Sequence, residues 1–250
     1  MKTIDAFRNF LKDSIRKTID FRTTDQSRGV EVPPMEEVVD GDDLVVELIP
    51  ITDVLPTLSK VELTAAISRR RSVRRFLDTP MTVAEISWLL WATQGMRDPL
   101  GNTPHFRTVP SAGARHSLNT YIFVNRVEGL PQGLYRYQPL AHVLVYLGSI
   151  QNQERMLSTA ALGQRFVAMA AATFVWTTVP YRMEWRYGLA AHRVILLDAG
   201  HVGQNFYLGC EPIGCGTCTV GAYDQEMLDK LLGVDGDNEF AIYLAPVGKV

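Results

Sequence analysis

The chain has 250 residues, 46% of them hydrophobic and 21% charged. That balance excludes a disordered tail, a collagen-like chain and a coiled coil. Its 25 Lys and Arg against 27 Asp and Glu leave a net charge of −2, which argues against bulk attraction to nucleic acid, and an odd three cysteines argue against a secreted disulfide scaffold.

Ile4, Phe7, Leu11, Ile15 and Ile19 recur every three or four residues, so residues 3–21 are expected to form an amphipathic helix. Such a helix docks on its own domain or on a partner subunit more readily than on a membrane surface. Met1–Phe21 is charged throughout and lacks the apolar centre of a signal peptide. The most apolar stretch, residues 166–179, is too short to span a bilayer. A soluble, cytoplasmic protein without membrane partners is expected. A polar connector over 23–36 ends at Pro33-Pro34, and 44–51 is expected to be a strand. The first 58 residues read as an extension, and 59–250 as the main domain.

Helices are expected over 61–71 and over 82–94. In the second, Thr82 and Glu85 have the spacing of a capping box. A long loop with Gly95, Pro99, Gly101, Pro104, Pro110 and Gly113 follows. Strands are expected at 119–125, 133–137 and 142–147, then helix over 151–172 and a buried strand at 173–179. A second long helix over 189–209 carries small residues that permit close packing. Strands at 217–220 and 239–246 flank a helix at 224–232. Helices and strands mix without a βαβ rhythm, so the expected class is α+β.

Arg69, Arg70, Arg71, Arg74 and Arg75 put five arginines in seven positions around Ser72. The planar guanidinium fork suits phosphate; a solvated helix end is the plainer alternative. Pro110-Ser111-Ala112-Gly113-Ala114 makes a tight turn with little side-chain bulk, where backbone N–H groups can approach a flat or anionic ligand. Cys210, Cys215 and Cys218 have the spacing of three ligands of a plant-type iron–sulfur cluster. The fourth cysteine is missing, so buried, redox-idle cysteines and no metal are expected. The glycines around them suit a chain passing close to a ligand. Trp185-Arg186-Tyr187-Gly188 precedes the long helix and either offers a phenol at a cleft or packs beneath that helix. No zinc-protease, serine-hydrolase, P-loop or Rossmann motif is present.

Taken in order, residues 70–76, 107–114, 133–137, 196–205 and 245–249 resemble the nitroreductase family of FMN flavoproteins. The likeness spans about residues 60–250 and is nearest to the SagB-type branch, which includes azoline dehydrogenases acting on modified peptides. The resemblance implies an FMN-binding homodimer with a central, mainly antiparallel sheet flanked by helices. It implies ping-pong hydride transfer, with NAD(P)H as a possible donor and a small molecule or peptide as substrate. Arg70, Arg71, Ser72 and Arg74 would hold the phosphate, ribityl chain and pyrimidine edge of FMN, and Lys249 would add a phosphate contact. Pro110, Ser111, Ala112, Gly113 and Ala114 would reach the flavin from the partner subunit, and Val220, Gly221 and Ala222 would line its ring. Arg186 and Tyr187 stand where azoline dehydrogenases carry Lys-Tyr. Arginine stays protonated, so Tyr187 is the candidate for proton transfer and Arg186 for anchoring charge. The alternatives are an NAD(P)H-dependent nitro or quinone reductase and a non-catalytic flavin-binding subunit of a peptide-modifying complex.

Overall fold

The protein is described by a computed structural model covering residues 3–41, 43–97 and 106–250. Pro99, Gly101 and Pro104 of the expected long loop lie outside the described residues. In chain order the elements are α1 (Thr3–Phe10), β1 (Leu44–Glu47), α2 (Ile51–Val54), α3 (Leu63–Arg69), β2 (Met81–Thr82), α4 (Val83–Gln94), β3 (Leu118–Val124), β4 (Val127–Glu128) and β5 (Gly133–Gln138). Then come β6 (Val143–Gly148), α5 (Gln153–Ala160), α6 (Arg165–Met169), β7 (Ala172–Thr178), α7 (Tyr181–Tyr187), α8 (Ala191–Cys210), β8 (Cys215–Thr217), α9 (Gln225–Leu232) and β9 (Phe240–Lys249).

Seven strands form one sheet in the order β1-β6-β5-β3-β7-β9-β8, and each pairing within it is antiparallel. Every residue of β3 and β7 is buried. Side chains alternate between the two faces of a strand. Ile122, Val124, Phe174 and Trp176 therefore face α4 and α8, while Phe123 and Val175 face α5, α6 and α9. Phe206 of α8 seats on the first face, its ring centre 4.7 Å from Phe174 and 5.3 Å from Trp176. This helix–sheet–helix arrangement is the α+β, mainly antiparallel fold expected from the sequence.

Local chemistry explains several boundaries. The capping box forms: Thr82 Oγ1 accepts from the Glu85 N–H at 3.3 Å, and Glu85 accepts from the Thr82 N–H at 2.9 Å. Asp224 caps α9 by accepting from the Met227 N–H at 3.0 Å. Gly203 lets α8 lie on a side chain rather than on another backbone, since a Cβ there would sit 2.8 Å from the Tyr243 ring.

Other expectations need correction. The N-terminal helix ends at Phe10, and Asp13–Thr18 is a separate 3₁₀ segment. Ile4, Phe7, Phe10 and Leu11 are exposed, so among the described residues nothing covers that apolar face to extend the helix. The helix expected over 151–172 divides where Leu162 and Gly163 take φ of 55° and 79°. The strand expected at 217–220 is Cys215–Thr217, with Val220 bridged separately to Leu244. Trp185-Arg186-Tyr187, read as a segment preceding the long helix, is the last turn of a separate helix, Tyr181–Tyr187, closed by Gly188 at φ 52°. Among the described residues, no helix is long and apolar enough to cross a membrane.

Candidate functional site

The arginine run leaves α3 and passes alongside β8. Ser72 bridges Thr217, and the Val73 N–H donates to the Thr217 carbonyl at 2.8 Å. Tyr207, near the C-terminal end of α8, is the hub of this region. Its hydroxyl lies 2.9 Å from Ser72 Oγ and accepts from the Thr219 N–H at 3.0 Å. The Arg70 guanidinium stands 5.1 Å from the centre of its ring. A cavity of about 480 Å³ opens here, lined by Arg69, Arg70, Arg71, Tyr207, Gly214 and Thr217 among others. No carboxylate among the described residues pairs with Arg69, Arg70, Arg71, Arg74 or Arg75. Glu211 lines the same cavity without forming an ion pair with them.

The other expected cofactor contacts, Arg74, Val220, Gly221, Ala222 and Lys249, are not among the residues lining this cavity. Arg74 turns away from Arg70, its guanidinium 5.8 Å from the Phe166 ring centre in a neighbouring hollow of about 380 Å³. Val220 is tied to Leu244 by backbone bonds of 2.7 and 3.1 Å. Gly221 has open space around it, and the Ala222 carbonyl accepts from Gln164 at 2.9 Å. Lys249 already has partners within the chain: it pairs with Glu85 and donates to the Ile213 carbonyl at 2.8 Å. All three cysteines are buried and free, and burial pushes the Cys215 thiol up to about 12. Among the described residues, no group of three or more His, Cys, Asp or Glu side chains is placed to hold a metal ion.

A second constellation forms toward the N-terminal end of α8. Ala112–Ala114 is a 3₁₀ turn with Gly113 at φ 58°, and Ala114 and His116 also hold positive φ, at 51° and 43°. Such backbone persists only where its surroundings determine it. Asp198, buried on α8, supplies part of that support. It accepts from the Ala112 N–H at 3.3 Å and from the Ser111 side chain. Burial raises its carboxyl above the usual aspartate value, and those two hydrogen bonds oppose the rise. Ser111 Oγ in turn accepts from the His116 N–H at 2.9 Å.

Arg186 and Tyr187, in the last turn of α7, lie against this loop. A Cβ on Gly113 would fall 2.7 Å from the Tyr187 hydroxyl and 2.9 Å from the Arg186 side chain. The Arg186 guanidinium is 5.6 Å from the Tyr187 ring centre, and the Arg115 guanidinium is 5.1 Å from that of Trp185. Burial, then the neighbouring Arg186, lowers the Arg115 pKa.

The expected site residues thus fall into two groups along α8. Asp198, which holds the loop, and Tyr207, which holds Ser72, are nine residues apart (207 − 198), or about 14 Å at 1.5 Å per residue. Within one chain the structure brings Arg70, Arg71 and Ser72 together, and separately brings residues 110–114 together with Arg186 and Tyr187. Asp198 and Tyr207 themselves are not marked out by spacing or composition, because their partners lie far away in sequence.

The family model described as the nitroreductase family matches residues 67–249. A nitroreductase-family protein of Methanocaldococcus jannaschii is 35% identical over 197 residues, covering 78% of this chain and 94% of its own. A nitroreductase structure from Ralstonia eutropha superposes with a TM-score of 0.68 at 24% identity, over 87% of this chain and 97% of that one. One from Anabaena variabilis gives 0.63 at 23% identity over 86% of this chain, which spans 45% of the Anabaena protein. A chain of the Escherichia coli microcin synthetase complex, solved with truncated pro-microcin bound, gives 0.61 at 16% identity, covering 100% of this chain and 98% of its own. At these identities the solved structures speak to the fold alone.

Proposed function

Because this chain belongs to the nitroreductase family, we propose that it is an FMN-dependent oxidoreductase working by ping-pong hydride transfer. The observation that carries this reading is the arginine-lined cavity beside Ser72 and Tyr207, whose arginines make no ion pair among the described residues although Glu211 stands on its wall. Its donor set fits a phosphate-bearing cofactor: guanidinium forks for the phosphate, hydroxyls for a polyol, and open backbone at Gly214 for a close approach. FMN, when bound, would accept a hydride from one substrate and deliver it to another.

In this reading Arg70 and Arg71 hold the phosphate, Ser72 and Arg74 the adjoining parts of the cofactor, and Val220–Ala222 one side of its ring. Lys249 joins only by exchanging its Glu85 partner. Residues 110–114 lie at the other group along α8, and in this reading they reach the flavin from the partner chain, as the family resemblance implies. Leu189, Leu196 and Leu197 are 62%, 49% and 51% exposed on and just before α8, which supports a homodimer packed on this helix. Residues 59–250 form the flavin-binding domain, and 1–58 are the extension. Tyr187 donates or accepts the substrate proton, and Arg186 stabilises negative charge beside it.

The SagB-type branch and a peptide substrate are carried by the family resemblance of the motifs, and the microcin synthetase chain shares the fold through this chain's extension as well. Arginine in place of lysine at position 186 supports the second reading, an NAD(P)H-dependent nitro or quinone reductase. Heat-released cofactor identified by chromatography, together with turnover of NADPH with a quinone, tests the proposal. FMN and turnover are expected. FAD, or no flavin after reconstitution with excess FMN, would refute it.

A further inference from the structure

We propose that the segment 25–35 of the extension is a positioning strap for Arg186 and Tyr187, acting through Tyr181, Arg182 and Trp185; the inference rests on the reading of Tyr187 as the proton-transfer group. A helix as short as α7 does not hold itself together in water, so its neighbours decide where its last turn points. One side of α7 is fastened to the strap at successive points. The Tyr181 hydroxyl donates to Asp25 at 2.8 Å. Arg182 Nε donates to the Pro34 carbonyl at 2.9 Å. The Trp185 indole N–H donates to the Val30 carbonyl at 3.0 Å, and the Trp185 carbonyl accepts from the Gln26 N–H at 2.9 Å.

Positions 181, 182 and 185 share one side of a helix. Arg182 and Trp185 are buried, so a strap that moved away would leave a guanidinium and an indole N–H without these acceptors. Arg182 also donates to Asn119 of β3 at 2.6 Å, and Arg107, which leads into the 110–114 loop, donates to the Met35 carbonyl at 3.3 Å. The strap is therefore tied to the sheet, to α7 and to the start of the loop that touches Tyr187. Further upstream, Arg193 of α8 donates to the Leu11 carbonyl at 2.8 Å, and Ile19 lies 3.8 Å from a Cβ placed on Gly188. The strap and the upstream contacts at Leu11 and Ile19 lie before residue 67, where the family match begins, and every group they hold lies within it.

The strap should govern what happens at Tyr187 without affecting the arginine cavity at the other group. The test uses the full-length flavoprotein with Trp185→Phe and Tyr181→Phe combined, which leaves an aromatic ring at each position and removes both donors, and with Asp25→Ala, which loosens the same tie from the strap side. Hydrogen exchange of the 181–188 amides is expected to quicken at least tenfold, with β3 and β7 amides unchanged. With NADPH and a quinone, kcat is expected to fall at least fivefold at unchanged KM and unchanged FMN content. Added to Tyr187→Phe, the same substitutions should cost little more, because both act on one group. Unchanged exchange, an unchanged kcat, or a loss that multiplies with that of Tyr187→Phe overturns the strap. Full activity in Tyr187→Phe alone overturns the reading beneath it, and the strap's role with it; slow turnover in Tyr187→Phe beside normal turnover in the strap variants overturns the strap alone.

Discussion

The two groups along α8 are built on opposite plans. Around Tyr207 the chain gathers guanidinium and hydroxyl groups, and among the described residues no carboxylate, Glu211 on the same wall included, forms an ion pair with the arginines. Around Asp198 the polar groups find partners inside the chain: Ser111 and Ala112 on the carboxylate, Trp185 and Tyr181 on the strap. In the proposed reading the first region is completed by the cofactor's phosphate. The second is organised beforehand and holds strained backbone at Gly113, Ala114 and His116 in place. The difference separates a place that binds from a place that positions.

The largest effect is expected where binding depends on unpaired charge. A charge-assisted hydrogen bond contributes about 1.5–3 kcal/mol. Arg71→Ala should therefore weaken FMN binding by roughly ten- to a hundredfold, read by titrating apoprotein, with little change in the apo fold. Equal affinity would reduce the run to a solvated helix end. Tyr187→Phe should slow turnover at least tenfold, within the roughly 10²–10⁴-fold range of acid–base help, while FMN content stays unchanged. That pattern would place the chemical step at the Asp198 group.

Gly113→Ala sharpens the contrast through stability. A non-glycine residue in the left-handed region costs about 1–2 kcal/mol, and the added Cβ would crowd Tyr187 and Arg186. The melting temperature should fall by at least about 2–4 °C. The same substitution at Gly221, which has open space and no positive φ, should leave it nearly unchanged. The smallest effect belongs to neither group and serves as a control. Hydrogen bonds from the Glu239 and Asp237 N–H groups and from Asn238 hold the Asp235 carboxyl well below the usual aspartate value. A depressed acid stabilises the fold above its unfolded pKa, about 3.9, and loses that contribution as pH falls through its folded value. The stability gap between wild type and Asp235→Asn should be largest near neutrality and shrink below about pH 4, measured by urea unfolding across pH.

What the sequence made legible follows from the range of the interactions involved. Thr82 and Glu85 announce the start of α4 because a capping box is local. The β-branched and aromatic runs at 118–124 and 172–178 announce buried strands because their pattern is local too. The arginine run and the Pro-Ser-Ala-Gly-Ala turn are visible for the same reason. Helix α7 is not, because seven residues are too few to display a helical period. The commitment of Lys249 to Glu85 joins residues 164 apart in sequence, and Ser72 with Tyr207 joins residues 135 apart, so neither has a sequence signal. The N-terminal periodicity suggested one helix through residue 21, whereas without a surface to cover the helix stops at Phe10. The contribution of the extension to α7 is carried largely by backbone carbonyls of Val30 and Pro34, which any residue possesses and no motif records.

The central claim is that one flavin is held by the Tyr207 group of one chain and the 110–114 loop of another. Native mass spectrometry of the protein after reconstitution with FMN tests it most directly. The account predicts a species of two chains carrying two FMN, with no flavin on the single chain. A single chain that retains FMN, or a two-chain species that takes up none, would contradict it.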